Sequence, residues 1–330
     1  MTRHDRVLGS LLGGAVGDAL GAPVEFSSLR DIREDHGPGG VTGYVPDWRG
    51  ALGLITDDTQ MTLFTVEGLL RGGDVQAVRQ AYLRWLDTQD HRTPPPADRP
   101  HRVGDLRAEE WLYSRRAPGN ACLSGLHRPF PGPAAFGSPG PVNGGSKGCG
   151  TVMRSAPFGM VSATARQAFE LSAVCAQITH GHPTGYLAAG AMAALVHHLM
   201  AGMALPPAVR ETLGLLGAYP GHEETTGALS AAVSLAASGT AGPERLESLG
   251  GAWVAEEALA IGVYCALAEP DAERALLLSV NHSGDSDSTG SVCGNLLGAW
   301  HGASILPEAW LAPLEGRATI ERLASALAES

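Results

Sequence analysis

The sequence predicts an all-α protein, and three observations support this. Apolar residues recur three and four positions apart through most of the 330 residues, which is the spacing of amphipathic helices. No segment alternates β-branched and polar residues for long enough to form a sheet. Hydrophobic residues make up 44% and charged residues 17%, as in a globular protein. No second apolar core is evident, so we expect residues 1–330 to form a single domain.

The first helix is predicted over residues 5–20, where seven apolar residues share one broad face. Asp18 is expected to close this helix, and residues 21–26 follow as a turn. Within that turn Glu25 has two interpretations, a solvated loop acid or a carboxylate held in a partly apolar place. Arg3 and Arg6 before the apolar run imitate a secretory signal, but Asp18 interrupts the run and its glycines weaken it.

A second acidic segment follows a stretch that we predict to be irregular, residues 27–55. Thr56, Asp57 and Asp58 open a helix predicted to continue to residue 70. A threonine or aspartate is a good N-cap, and acids in the first turn suit the helix dipole. Capping accounts well for one aspartate and less well for two adjacent ones.

The middle of the chain combines a helix with a long irregular region. Residues 74–88 are predicted to be helical, whereas residues 93–147 are rich in proline and glycine. Long irregular segments of a compact protein are usually lids or binding loops, so we expect a lid. The region ends in a glycine-rich turn that feeds a helix predicted from Val152. Such a turn offers N–H groups to a phosphate, although it lacks the order of a Walker A loop.

The remaining chain is predicted to be helical at 164–178, 183–201, 206–217, 223–238, 251–267, 270–280 and 315–329. Between the first two of these lie His180 and His182, one residue apart. The pair has two interpretations, metal ligands or a hydrogen-bonded turn with one functional histidine, and we favour the turn. A further buried helix follows the acidic segment at residues 282–288.

Charge and cysteine content narrow the classes of function. The formal net charge is −11, which excludes the basic surface that nucleic acid or an anionic membrane requires. The five cysteines are scattered, odd in number and without C-x-x-C spacing, which favours free thiols in a reducing compartment. We therefore expect a cytoplasmic protein, and monomer is the default oligomeric state.

Two clusters of hard oxygen donors carry the chemistry. Asp285 and Asp287 resemble the start of an EF-hand loop, but its twelfth position would be Leu296 instead of a bidentate glutamate. What remains are the clusters 56–58 and 285–288, more than 200 residues apart, each opening a helix. Without thiolates or a histidine-rich shell, oxygen donors favour Mg²⁺ or Mn²⁺ over zinc. Four aspartates can neutralise two divalent ions, and such pairs activate water.

These segments also resemble a known family, the ADP-ribosylglycohydrolases, which includes the dinitrogenase-reductase-activating glycohydrolase and the ADP-ribosyl-acceptor hydrolases. The matching segments are residues 14–25 (GAVGDALGAPVE), 56–59 (TDDT), 148–154 (GCGTVMR), 179–180 (TH) and 284–287 (GDSD), with 253–265 in the same style. They occur in the family's order and span residues 8–300.

The resemblance implies a compact, orthogonally packed all-α domain with two Mg²⁺ or Mn²⁺ ions in a cleft. The implied metal ligands are Thr56, Asp57, Asp58, Asp285, Asp287 and Ser288. The family usually has threonine at the position of Ser288, a change expected to affect affinity more than binding itself. The implied substrate-binding residues, for the diphosphate and distal ribose, are Ser146, Gly148, Cys149, Gly150, Thr151 and His180.

The expected reaction is hydrolysis of the ribose C1″ bond of an ADP-ribosylated protein side chain or small molecule, releasing ADP-ribose. The resemblance makes Glu25 an acid/base or gating residue, and Asp57 and Asp285 are the other candidate catalytic carboxylates. Two alternatives stay open: another metal-dependent nucleotide or phosphoester hydrolase, and a non-catalytic, crystallin-like member that binds ADP-ribose. The region 93–147 is expected to select the linkage that is cleaved.

Overall fold

The computed structural model describes residues 1–330 and contains sixteen α-helices and no β-strand, which confirms the all-α prediction. In chain order the helices are α1 (Arg3–Gly21), α2 (Leu29–His36), α3 (Asp57–Arg71), α4 (Val75–Asp90), α5 (Asn120–Leu126), α6 (Ala156–Val161), α7 (Ala165–Ala176), α8 (Pro183–Met200), α9 (Leu205–Leu216), α10 (Glu223–Ala237), α11 (Pro243–Leu246), α12 (Ala255–Ala268), α13 (Ala272–Val280), α14 (Ser286–His301), α15 (Glu308–Leu311) and α16 (Arg317–Glu329). Short 3₁₀ segments, the longest of them Cys149–Arg154, join several helices.

Several local predictions were wrong. Residues 29–36 form α2 inside the stretch predicted to be irregular, because Ser28 and Asp31 form a capping box that starts a short, largely charged helix. The helix predicted from Val152 is a 3₁₀ segment, and α6 begins only at Ala156. Helix α12 begins at Ala255 instead of 251, because Val254 pairs with Gly148 in an isolated β-bridge.

A ladder of glycines holds α1 against α14, which run antiparallel. Gly9, Gly13 and Gly17 face residues 298, 294 and 290, all glycines, at successive turns. A Cβ atom at any of these positions would overlap the backbone of the opposite helix. Glycine lowers helix propensity by about 1 kcal/mol per residue relative to alanine, so close packing must offset this cost. The ladder brings the end of α1 and the following Glu25 beside the start of α14.

We expect Gly290→Ala to destabilise the protein by about 1–3 kcal/mol or more, because its Cβ would be forced against the Gly17 carbonyl. Chemical denaturation measures this free energy of unfolding. The matched control is Gly214→Ala in α9, where an added Cβ meets nothing within 4 Å. The control is expected to be stabilising by up to about 1 kcal/mol. A Gly290→Ala protein as stable as the wild type would contradict the packing argument.

The first helix, extended to Val24, is long and apolar enough to pass a test for a membrane span. However, 83% of its most apolar window is buried inside this fold, where α1 packs against α14 and α16. The same composition is therefore accounted for by a core helix, since the core of a large domain surrounds such a helix with apolar contacts.

Asp18 does not close α1 as predicted but lies fully buried in its last turns. Its carboxylate accepts hydrogen bonds from the backbone N–H groups of Thr56 at 3.0 Å and Thr59 at 3.1 Å, and from the Thr59 hydroxyl. Burial raises the pKa of Asp18 to about 6, although these bonds oppose the shift. Asp18 thus fixes the start of α3 to the end of α1.

Candidate active site

An open pocket of 570 Å³ collects most of the residues predicted to carry the chemistry. Its floor consists of Glu25, Asp57, Asp58, Asp285, Asp287 and Ser288. Residues 148–150 and His180 form another wall, and residues 115 and 117–121 of the irregular region form a third. The pocket therefore joins the two acidic clusters that lie more than 200 residues apart in sequence.

The aspartates of α3 are not needed as helix caps. The Thr56 hydroxyl is the N-cap of α3 and accepts from the Asp58 N–H at 3.2 Å. Asp57 accepts from the Gly119 N–H at 3.3 Å, and Oδ2 of Asp58 is buried without any partner. Because a buried unpaired carboxylate oxygen is costly, this atom calls for a ligand outside the protein.

At the start of α14, Asp285 both caps the helix and contacts the pocket wall. Oδ1 of Asp285 accepts from the Ser288 N–H at 3.3 Å and so caps the helix. The other oxygen, Oδ2, accepts a hydrogen bond from the Cys149 thiol at 2.7 Å, on the pocket wall. Asp287 accepts from the same Ser288 N–H at 2.9 Å. Both acidic clusters therefore stand at helix N-termini, where the dipole favours negative charge.

Burial and crowding raise the pKa of four carboxyl groups of the pocket. Burial raises the pKa of Glu25 to about 8, helped by the charges of Asp285 and Asp57. Burial also raises the pKa of Asp57, Asp58 and Asp287 well above the usual range, and neighbouring carboxylates add to each shift. Such mutual repulsion is relieved when a cation enters the cluster.

The donor set fits a hard divalent cation. Glu25, Asp285 and Asp287 each offer one oxygen atom, and the three atoms lie within 4.8 Å of one another. The unpartnered Oδ2 of Asp58 and the side chain of Ser288 line the same pocket. Oxygen donors of this kind suit Mg²⁺ or Mn²⁺. Thr56 is buried and does not line the pocket.

The glycine-rich loop is held by pairing with residues 253–255. The Cys149 N–H donates to the Trp253 carbonyl at 3.2 Å, and the Ala255 N–H donates to the Lys147 carbonyl at 2.8 Å. The Cys149 N–H is therefore already used, although Gly148, Cys149 and Gly150 all line the pocket. Of the other predicted substrate-binding residues, Ser146 lines a separate, neighbouring pocket. Thr151 is buried and donates its hydroxyl to the Gly185 carbonyl at 2.8 Å.

The two histidines of residues 179–183 have different positions and roles in the structure. His180 is 2% exposed and lines the pocket. Burial and the nearby Arg154 lower the pKa of His180 to about 3, so the ring is neutral. His182 is the N-cap of α8, and its Nδ1 accepts from the Thr184 N–H at 3.2 Å. This arrangement matches a hydrogen-bonded turn with one pocket histidine.

Sequence reasoning missed the rim of the pocket. Phe26 is 74% and Trp253 is 46% exposed, and their rings stack with centroids 5.6 Å apart at 19°. Arg115 also lines the rim and makes no ion pair. The signals available for this surface were the large aromatic residue directly after Glu25 and the place of Trp253 at the start of a segment that resembles the family.

Comparisons with known proteins match the chain to one family along its whole length. The family model described as ADP-ribosylglycohydrolase matches residues 1–330. The chain is 27% identical to the ADP-ribosyl-[dinitrogen reductase] glycohydrolase of Rhodospirillum rubrum, over 94% of this chain and 91% of that protein. It is 26% identical to the ADP-ribosylhydrolase ARH3 of Bos taurus, over 98% and 92%.

A similar relation holds for solved structures. One described as an ADP-ribosylglycohydrolase-related protein complex superposes with a TM-score of 0.68 at 27% identity, covering 99% of this chain and 98% of that one. A further relative by sequence is the ADP-ribosylarginine hydrolase Tri1 of Serratia proteamaculans, which is 24% identical over 98% of this chain and 79% of that protein. From the family match along its whole length, the chain belongs to the ADP-ribosylglycohydrolase family of hydrolases.

Proposed function

We propose that this protein hydrolyses the bond between ribose C1″ and the acceptor of an ADP-ribosylated protein or small molecule, releasing ADP-ribose. The observation that carries the proposal is the convergence of five carboxylates from three distant segments into one pocket that also contains residues 148–150 and His180. The names of the relatives support the reaction, since they act on ADP-ribosylated dinitrogen reductase or ADP-ribosylarginine.

We propose two Mg²⁺ or Mn²⁺ ions as cofactors. ADP-ribose is doubly anionic, so a pocket with five carboxylates would repel it unless cations neutralise the floor. The ions would be held by the side chains of Asp57, Asp58, Asp285, Asp287 and Ser288. The Thr56 hydroxyl, which caps α3 beside these aspartates, is the remaining proposed ligand. When bound, such ions would orient the ribose hydroxyls and a water molecule.

Glu25 is best suited to move a proton. Of the three candidate carboxylates, Asp57 and Asp285 already accept backbone hydrogen bonds, whereas Glu25 accepts none from the protein. Its raised pKa lets it carry a proton near neutral pH. In glycoside hydrolysis a carboxyl group takes a proton from water or gives one to the leaving group, while positive charge develops on the sugar. Glu25 would act in this way on the acceptor bond.

The opposite wall would hold the rest of the substrate. Residues 148–150 allow a ligand to approach the backbone closely because two of the three are glycines. The neutral ring of His180 lies beside them and can donate a hydrogen bond to a phosphate or ribose oxygen. Phe26 and Trp253, at the rim, form the surface that an acceptor protein would meet.

The experiment is a substrate panel. Peptides ADP-ribosylated on arginine or on serine, and O-acetyl-ADP-ribose, are incubated with the protein in Mg²⁺ or Mn²⁺, and products are identified by mass spectrometry. We expect free ADP-ribose from at least one substrate, and a large loss of that product in Glu25→Gln. Release of AMP or phosphate would instead favour a phosphoester hydrolase. Calorimetric binding of ADP-ribose without turnover of any substrate would favour a non-catalytic binding protein.

A further inference from the structure

A positively charged side chain lies buried beneath the pocket without a negatively charged partner. Arg154 is 1% exposed and forms no ion pair. Its guanidinium stacks 4.4 Å above the Tyr82 ring, and Nη1 lies 3.3 Å from the sulfur of Cys122. Burying an unpaired charge is costly, so an arginine in this place requires a reason other than packing.

The shortest polar contact of Arg154 indicates why the arginine is buried there. Its Nη2 donates to the Thr179 hydroxyl at 2.6 Å, and the same hydroxyl lies 2.8 Å from Nδ1 of His180. All three residues are buried. The contacts therefore form a chain from the buried guanidinium, through one hydroxyl, to the histidine that lines the pocket.

The direction of these hydrogen bonds follows from the chemistry of the donors. A guanidinium can only donate, so Thr179 accepts from Arg154 and directs its own proton elsewhere. Two acceptors are in reach, Nδ1 of His180 at 2.8 Å and the Ala176 carbonyl at 3.4 Å. The shorter contact has the usual length of a hydrogen bond from a hydroxyl, whereas 3.4 Å does not. Nδ1 is then the acceptor, and the single proton of the neutral ring sits on Nε2.

The other nitrogen of the ring faces the ligand side. Nε2 of His180 has no hydrogen-bond partner within the protein and lies over the glycine loop. A Cβ at Gly148 would come within 3.2 Å of Nε2, and one at Gly150 within 3.2 Å of Cε1. The two glycines thus leave open the space into which the Nε2–H group points.

We propose that Arg154 and Thr179 are positioning residues that hold His180 in its Nε2-protonated, neutral form, so that it donates a hydrogen bond to a phosphate or hydroxyl oxygen of the ligand. The assignment of that oxygen to ADP-ribose rests on the proposed function; the tautomer does not. The positive charge of Arg154 reinforces the arrangement, because it opposes a second proton on the ring. The Nε2–H group of His180 consequently binds a ligand oxygen that accepts a hydrogen bond and disfavours a ligand group that donates one.

The tautomer is measured on the ligand-free protein by two-bond ¹H–¹⁵N correlation spectra of ¹⁵N-histidine, with His180→Ala identifying the signal. We expect Nε2–H and a bare Nδ1 throughout pH 5–8. Thr179→Val keeps the shape but removes the hydroxyl, so we expect a mixture of tautomers. Thr179→Ser is expected to restore the wild-type spectrum. An Nδ1–H tautomer or an imidazolium in the wild type would overturn the proposal.

The second readout is affinity for ADP-ribose by calorimetry. Loss of one well-made hydrogen bond to a charged ligand predicts about tenfold weaker binding in Thr179→Val. The matched control is Thr212→Val, which removes a buried threonine hydroxyl in α9 that has no hydrogen-bond partner. Equal affinities of Thr179→Val and the wild type would overturn the positioning role. If ADP-ribose binds to no variant while the tautomer is as expected, the proposed function fails and the positioning of His180 stands.

Arg154→Met tests the first link of the chain. Without the guanidinium, the Thr179 hydroxyl is free to accept from Nδ1–H of His180, so we expect the tautomer to shift as in Thr179→Val. Retention of the wild-type tautomer in a folded Arg154→Met protein would remove Arg154 from the proposal. Should this variant fail to fold, Thr179→Val decides the outcome alone.

Discussion

Asp285→Ala is expected to abolish both divalent-cation binding and release of ADP-ribose. Asp285 offers one of the three converging oxygens and repels the neighbouring carboxylates in the absence of a cation. Removing an indirect partner of a metal ligand typically costs 10–100-fold in affinity, so losing a direct ligand is expected to cost at least about 100-fold. Calorimetry with Mn²⁺ and a product assay measure the two effects.

Asp285 also caps α14, so the control must separate capping from metal binding. Asp271→Ala is matched, because Asp271 caps α13 by accepting from the Arg274 N–H at 3.0 Å and is exposed away from the pocket. Each cap loss is expected to cost about 1 kcal/mol of stability. Only the change at Asp285 is expected to affect metal binding. Near wild-type turnover in Asp285→Ala would rule out the assigned centre.

The metal-free protein is expected to lose stability as the pH rises from about 4.5 to about 8. Glu25 has its pKa raised from 4.5 to about 8 in the folded state, and Asp18 has its pKa raised from 3.8 to about 6. Over this window the folded protein retains protons that the unfolded chain has released, so stability is greatest at the acidic end and falls with increasing pH. Thermal unfolding in a chelating buffer measures this trend.

Mn²⁺ is expected to stabilise the protein more at pH 8 than at pH 5.5, since protons compete for the carboxylates at the lower pH. A cation at one hundred times its Kd contributes about 2.7 kcal/mol, which for a chain of 330 residues corresponds to a rise in Tm of roughly 4 °C. NaCl at matched ionic strength is the control for screening. Glu25→Gln is expected to flatten the metal-free pH dependence. Equal shifts at both pH values would contradict a carboxylate-held cation.

The acidic clusters show how far the sequence alone can lead. Thr56, Asp57 and Asp58 allowed two interpretations, a cap or a metal site, because both place acids at a helix start. The structure separates the roles, since the Thr56 hydroxyl is the cap and one oxygen of Asp58 has no partner. Single domain organisation, a cytoplasmic location and a monomeric state stay predictions.

The roles of Asp18 and Arg154 were not predicted by local sequence patterns. As an acid near the end of a helical pattern, Asp18 looked like a boundary, yet it is buried and bonded to the backbone of α3. Arg154 carried no signal beyond its place in a matching motif, because its contacts with Thr179 and Tyr82 come from other segments. Both depend on pairs distant in sequence.

By itself the sequence determined the helical class, the oxygen-donor chemistry of residues 56–58 and 285–288, and the family, because periodicity and motifs are local properties. The family resemblance had named Glu25 and His180 as site residues. Only the tertiary structure shows that Glu25 lies beside both acidic clusters, that His182 caps α8, and that Phe26 stacks on Trp253. The glycine ladder between α1 and α14 brings these distant segments together. The resulting proximity of charges then sets the pKa of Glu25, since both burial and Coulomb repulsion depend on neighbours in space.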